Sequence, residues 1–215
     1  MRKLQMIIPI LLVVLGASLL SYEFLSNKHE QDEIQNTIEE FKNSLSNTKP
    51  NTEVEWPSYT EEPEITPEST TAPVVKKPDT IGVMYIPTIN VEAPIGMGTT
   101  DRTIKTHIGQ YSTLDGINKD GGLAGFTAHS SRTGRCNHCY FERIEELSEG
   151  DLIQILSNDG HIYNYSVFYV CAYESKDLDY YYIPIEGKTT ITLTTCTDGD
   201  PDVRTIVRAE LIGVD

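Results

Sequence analysis

Basic charge is what this chain has least of. Its 17 lysines and arginines stand against 32 aspartates and glutamates, giving a formal net charge of -15 and a pI near 4.7. A surface of that sign does not neutralise phosphates, so nucleic-acid binding is excluded. The plain reading of the acidity is a solvated surface. No Asp-x-Asp-x-Asp-Gly loop occurs, so no metal is assigned. There is no internal repeat, one tryptophan, and only four cysteines, Cys136, Cys139, Cys171 and Cys196.

One long apolar run stands out, from Leu4 to Leu25, rich in Ile, Leu and Val and preceded by Arg2-Lys3. Its length suits a single crossing of about 20 residues, and the two cations place the N-terminus in the cytoplasm. A cleaved signal peptide is the rival. Gly16-Ala17-Ser18 offers small residues, but the run continues through Leu19-Leu20 without a small-x-small site. Residues 1–25 are therefore read as an uncleaved transmembrane anchor.

Residues 26–79 read as a juxtamembrane helix and a linker. Ile34, Ile38, Phe41 and Leu45 fall at helical spacing on one narrow stripe. Such a stripe belongs to a stalk that self-associates or lies against the next domain, or to a marginal helix with no partner. From Lys49 to Pro78, six of the eleven prolines alternate with Glu and Thr. That composition buries too little apolar area to offset ordering entropy.

The domain at 80–215 carries short β-like runs at Ile81–Ile86, Ile89–Pro94, Gly122–Ala128, Leu152–Leu156, Ile162–Tyr173, Thr190–Thr195 and Thr205–Ile212. Turn signals such as Asp120-Gly121 and Asp159-Gly160 punctuate them. Helical signal is confined to Thr100–His107 and Phe141–Leu147. Regular short strands with Gly-rich turns predict a mainly β fold, barrel or sandwich.

Chemistry concentrates near the C-terminus. Thr192-Leu193-Thr194-Thr195-Cys196 ends one run, and Arg204-Thr205-Ile206-Val207 opens the next after only seven residues, Thr197 to Val203. A hairpin-like link brings thiol and guanidinium to one sheet edge. Alternation puts Ile191, Leu193 and Thr195 on one face, which Ile191 and Leu193 mark as core, and turns Thr192, Thr194 and Cys196 the other way, Cys196 towards a groove. Thr205, Val207, Ala209 and Leu211 form the core face of the following run, leaving Arg204, Ile206 and Arg208 opposite. Upstream, Gly125-Phe126-Thr127-Ala128-His129 ends another run with a histidine. Nucleophile, proton-transfer base and oxyanion cation make a workable set for acyl transfer. His138 lies in a turn-rich loop and competes with His129. His107 and His161 read as surface or helix-end residues.

The Thr-Leu-x-Thr-Cys block followed by Arg-x-Ile-Val resembles the signature of the sortases, the surface transpeptidases of Gram-positive bacteria. His129 and Leu147-x-x-Gly150-Asp151-x-Ile153 support the resemblance. It implies an eight-stranded β-barrel with short helices, with Cys196 as nucleophile, His129 as proton donor and acceptor, and Arg204 as the oxyanion or substrate-binding cation. It also implies that Thr195 lends a hydroxyl or amide to the substrate. The implied partners are a Leu-Pro-x-Thr-like sorting-signal peptide and a peptidoglycan-precursor amine, on an enzyme held at the cell membrane with its catalytic domain outside. No cofactor is implied. Acidic loops bind calcium in some members, but no calcium site is assignable here. The absence of a C-terminal apolar helix and the short interval Glu174–Thr189 favour a class A or D type over the pilus-building and class B types.

With Cys196 as a free nucleophile, three cysteines remain and one pair at most can form, for which Cys136-x-x-Cys139 is the candidate. The Cys136-Asn137-His138-Cys139 cluster also reads as a zinc half-site or a redox switch. Zinc needs about four ligands and only three are local. A thiol oxidoreductase built on Cys136-x-x-Cys139 lacks a surrounding βαβ pattern. The triad residues would equally serve a cysteine peptidase that hydrolyses its peptide, and in a non-catalytic binding module Cys196 would be incidental.

Overall fold

The computed structural model of the chain describes residues 2–47, 79–130, 138–174, 181–197 and 200–215. Eight strands close into a barrel in the order β1-β2-β3-β4-β7-β8-β6-β5. They are β1 Thr80–Ile86, β2 Val91–Met97, β3 Ile108–Gln110, β4 Leu123–Thr127, β5 Leu152–Ser157, β6 Ile162–Glu174, β7 Thr190–Thr197 and β8 Asp200–Val214. Closure leaves no edge strand to pair with another chain.

The strands follow the period-2 pattern of the sequence. Buried and half-buried residues alternate along β5 and along the first half of β6. The interior is filled by Met84, Ile86, Ile95, Ile108, Phe126, Ile153, Ile155, Tyr165, Ile191, Leu193 and Val207, all fully buried. Two of the pairings are parallel, β2 with β3 and β4 with β7. The second decides where the site lies. Parallel strands end on the same side, so the C-terminal ends of β4 and β7 open side by side.

Two expectations about local structure change. The strand β3 was not foreseen, because three residues are too few to show alternation. The helix expected over Thr100–His107 is shorter, a single turn α2 at Asp101–Ile104 whose cap Thr100 Oγ1 accepts the Thr103 N–H at 3.4 Å. Over Phe141–Leu147 only a 3-10 turn forms, at Ile144–Glu146, pinned by the buried side chains of Phe141, Ile144 and Leu147.

Before the barrel runs one helix, α1, Arg2–Asn47. Its stripe has a partner. Ile34, Ile38 and Phe41 are buried against Val83 of β1, with Leu45, Tyr85, Tyr140 and Leu156 around them. Lys42 Nζ meets Glu92 Oε1 at 3.0 Å and lies 5.4 Å from the centre of the Tyr85 ring. The helix thus lies against the barrel. The Lys49–Pro78 linker falls outside the described residues. Among the described residues no helix is long and apolar enough to cross a membrane, so the crossing expected over Leu4–Leu25 is not shown.

Candidate active site

The parallel register Thr127↔Thr194 runs off the end of β4 and brings His129, two residues on, alongside Cys196. Two side chains continue the connection where the ladder stops. Thr195 Oγ1 donates to the Ala128 carbonyl at 2.7 Å, and Ser130 Oγ donates to the Cys196 carbonyl. On the other flank β7 and β8 pair antiparallel with Cys196 directly opposite Arg204. Directly opposed residues hold their Cβ atoms about 4.5–5.5 Å apart. His129, Cys196 and Arg204 therefore fall at three adjacent strand ends.

Cys196 and His129 are exposed and Arg204 is half-buried. The Arg204 Nη1 donates to the Val203 carbonyl at 3.0 Å. Cys196 borders a cavity of about 390 Å³, lined also by Ser130, Glu142, Glu145, Ala172 and Thr205. The Cys171 thiol lies on the same wall and, like Cys196, is free.

The face opposite the core differs from expectation. Thr192 and Thr194 share the Cys196 side of β7, yet both are buried. The segment after β6 covers them. Thr192 Oγ1 donates to the Tyr181 carbonyl at 3.0 Å, and the Tyr182 hydroxyl meets Thr194 Oγ1 at 2.5 Å. Burial pushes the Tyr182 phenol well above its ordinary pKa. Its ring meets Tyr111 edge-on at 5.2 Å. Below them lies Gly125, where an added Cβ would stand 2.5 Å from Leu114 Cδ1 and 3.1 Å from both tyrosine rings. Arg208, next along the same face of β8, donates to the Ile183 carbonyl at 3.1 Å. Cys196 is the residue at which this tyrosine cover ends. Sequence reasoning missed Tyr111, Tyr181, Tyr182 and Ser130. A glycine inside a strand, which signals a close approach, was the available clue to Tyr111 and Tyr182.

Thr195, expected to face the substrate, is turned the other way. It is 3% exposed, and its hydroxyl is committed to Ala128. Its role is to fasten the ends of β4 and β7.

Of the Cys136-x-x-Cys139 pair, Cys139 is disulfide-bonded, while Cys136 lies outside the described residues. Among the described residues no group of three or more His, Cys, Asp and Glu side chains is placed to hold a metal ion. His138, the rival of His129, faces α1: its ring stacks on Tyr140 at 5.9 Å and 21°, and Nε2 lies 3.8 Å from Glu30 Oε2. Burial lowers its pKa, with Glu30 opposing the shift. His107, expected at the surface, is instead buried between Thr80 Oγ1 at 3.1 Å and Thr106 Oγ1 at 2.8 Å. Both ring nitrogens have partners, which makes it a structural residue.

Comparison with known proteins adds a family. The model of the Sortase domain matches residues 84–212. Among solved structures, sortase A from Corynebacterium diphtheriae is 26% identical with a TM-score of 0.58, covering 66% of this chain and 64% of its own. The chain thus spans less than two thirds of that protein's length. Sortase C-1 from Actinomyces oris shares 24% identity over 63% of this chain and 76% of its own, at a TM-score of 0.57. Clostridium perfringens sortase C, solved with the C-terminal cell wall sorting motif, is 25% identical with a TM-score of 0.57, over 65% of this chain and 74% of its own. These neighbours include both A and C types. No curated protein matches the chain.

Proposed function

The chain belongs to the sortase family, and on that premise we propose that it is a membrane-anchored cysteine transpeptidase. It cleaves a Leu-Pro-x-Thr-Gly-like sorting signal and joins the new carboxyl end to an amine of a peptidoglycan precursor. The observation that carries this reading is the row of His129, Cys196 and Arg204 along the ends of β4, β7 and β8.

In the first half-reaction the Cys196 thiolate attacks the carbonyl carbon of the Thr–Gly peptide bond. The oxyanion that forms is neutralised by the Arg204 guanidinium. As the C–N bond breaks, protonated His129 gives its proton to the leaving amine, and a thioester remains on Cys196. In the second half the acceptor amine attacks the thioester carbon and gives a proton to His129. The C–S bond then breaks and the thiolate returns. A thioester suits the task because thiolate is a good nucleophile and the acyl group stays reactive towards amines.

The anchor is part of the proposal. The Leu4–Leu25 run and the Arg2-Lys3 pair before it support a single crossing with the catalytic domain outside. We assign the disulfide to Cys136–Cys139, supported by the bonded state of Cys139 and the free thiols of Cys171 and Cys196.

The test is turnover of a fluorogenic sorting peptide with and without an amine acceptor. Acceptor-dependent ligation product is expected, with a Cys196 adduct from a peptide inhibitor in the wild type and none in Cys196→Ala. Cleavage that ignores the acceptor would make the protein a hydrolysing peptidase. An adduct on Cys171 would move the nucleophile.

A further inference from the structure

We propose that Tyr140 is a positioning residue for His129 and that α1, docked on the barrel, keeps Tyr140 in place. The inference rests on the reading of His129 as the proton-transfer group. Its starting point is that the backbone carrying His129 is fastened from one side by the chain returning towards the 3-10 turn. There the Phe141 N–H donates to the His129 carbonyl at 3.2 Å, and the Phe141 side chain is fully buried in the barrel core.

Tyr140, immediately before it, is the joint between two apolar clusters. It packs against the barrel core and also against the cluster formed by Ile34, Ile38 and Phe41 of α1 with Val83. Its hydroxyl donates to the Thr106 carbonyl at 3.1 Å. His138 extends the same contact, stacked on the Tyr140 ring and within 3.8 Å of Glu30 on α1. Every described residue from His138 to Phe141 is therefore tied down, by α1, by Thr106, by the core, or by the disulfide at Cys139. Remove α1, and one of the two surfaces clamping Tyr140 is lost.

A shift of about 1 Å at a catalytic group costs on the order of 10²-fold in rate. Loosening this clamp should therefore appear in kcat. None of its described residues lines the cavity that Cys196 borders, so KM should hardly change.

The experiment uses the full-length protein in detergent micelles, with Ile38→Asp to undock α1, Ile38→Ala as a milder variant, and Tyr140→Ala against Tyr140→Phe. Four readouts are taken well below each variant's melting temperature: kcat, KM, the pH profile of kcat/KM, and the NMR signals of labelled imidazoles. Ile38→Asp and Tyr140→Ala should lower kcat about tenfold or more, with KM within about twofold, by loss of orientation. Ile38→Ala should fall between these and wild type. Tyr140→Phe keeps the ring and should rescue most of the rate. The single His129 resonance should broaden or split in Ile38→Asp. Variants that melt lower but keep wild-type kcat, pH profile and a sharp His129 signal would overturn the proposal. If the wild type itself turns over no peptide, the transpeptidase reading falls. The positioning claim is then decided by the His129 resonance alone: broadening upholds it and no change refutes it.

Discussion

Arg204 and Ser130 flank Cys196 in different ways, and single substitutions separate their proposed roles. Arg204 stands directly across the ladder from Cys196. A planar guanidinium that accepts charge along two N–H vectors is not replaced by an ammonium. Arg204→Lys is expected to lose roughly 10²–10³-fold in kcat, the range for removing one oxyanion donor, as read by peptide turnover. Activity within a few-fold of wild type would reduce Arg204 to a structural role. Ser130 donates to the Cys196 carbonyl from a buried position. Ser130→Ala removes that bond, a net loss of about 0.5–1.5 kcal/mol for a bond to a carbonyl that water can reach. A lower melting temperature and slower alkylation of Cys196 are expected, with both restored by Ser130→Thr. At this scale the placement of Cys196 opposite Arg204 was legible because it follows strand periodicity and spacing. The inward turn of Thr195 was legible too, since alternation sets it with Ile191 and Leu193, but its bond to Ala128 was not, because only the pairing of β4 with β7 brings that carbonyl near.

Among the elements, the tyrosine cover over β4 and β7 has the most to say about substrate entry. Its seating requires Gly125 to lack a side chain, since a Cβ there falls 2.5 Å from Leu114 Cδ1. Gly125→Ala is expected to cost roughly 1–3 kcal/mol by overpacking. If the sorting peptide runs along β7 to Cys196, the substitution should also alter KM more than kcat, because the displaced Tyr182 lies over Thr194, two residues before Cys196. An unchanged KM would mean that the peptide does not use this face. The cover escaped sequence reading for a physical reason. Its residues lie in irregular segments, where no period reports burial, and Thr192 and Thr194 look like solvent-facing positions until something lies over them. The strand β3 escaped by brevity. The strands β5 and β6 showed themselves because half-buried strands write a period-2 pattern into the chain, and β1, β2, β4 and the β7–β8 pair as short apolar or β-branched runs between turn signals.

For the molecule as a whole, the contact between α1 and the barrel should be sensitive to acid. His138 sits at that contact, faced by Glu30 from α1 and by Tyr140 from its own segment. Burial, the larger effect, lowers its pKa below the ordinary 6.5, and Glu30 offsets this only in part. Below about 6.5 the unfolded chain takes up a proton that the folded one resists. Stability is therefore fully present above that pH and falls as the pH drops towards the lowered folded value. Melting curves between pH 7.5 and 5 should show the decline, and His138→Phe should flatten that part of it. An identical pH dependence in the variant would show that His138 does not contribute. The Ile34–Ile38–Phe41 stripe was visible in the sequence, but its partner was not. A stripe says that a helix needs a surface and is silent about which one, and Val83 gives no sign that it faces outwards to receive it.

The parallel pairing of β4 with β7 also bears on when, under the proposed mechanism, the site is assembled. The hydroxyl of Thr195 reaches the carbonyl of Ala128 across 67 positions of chain, and everything from the 3-10 turn through β6 lies between them. Such distant contacts form late, after loop-closure entropy has been overcome. Until they form, thiol and imidazole are strangers on one polymer, and the cysteine has no more reactivity than its side chain alone provides. On the proposed mechanism the barrel would work as its own safety catch, completing the site around Cys196 only when the last strands have closed.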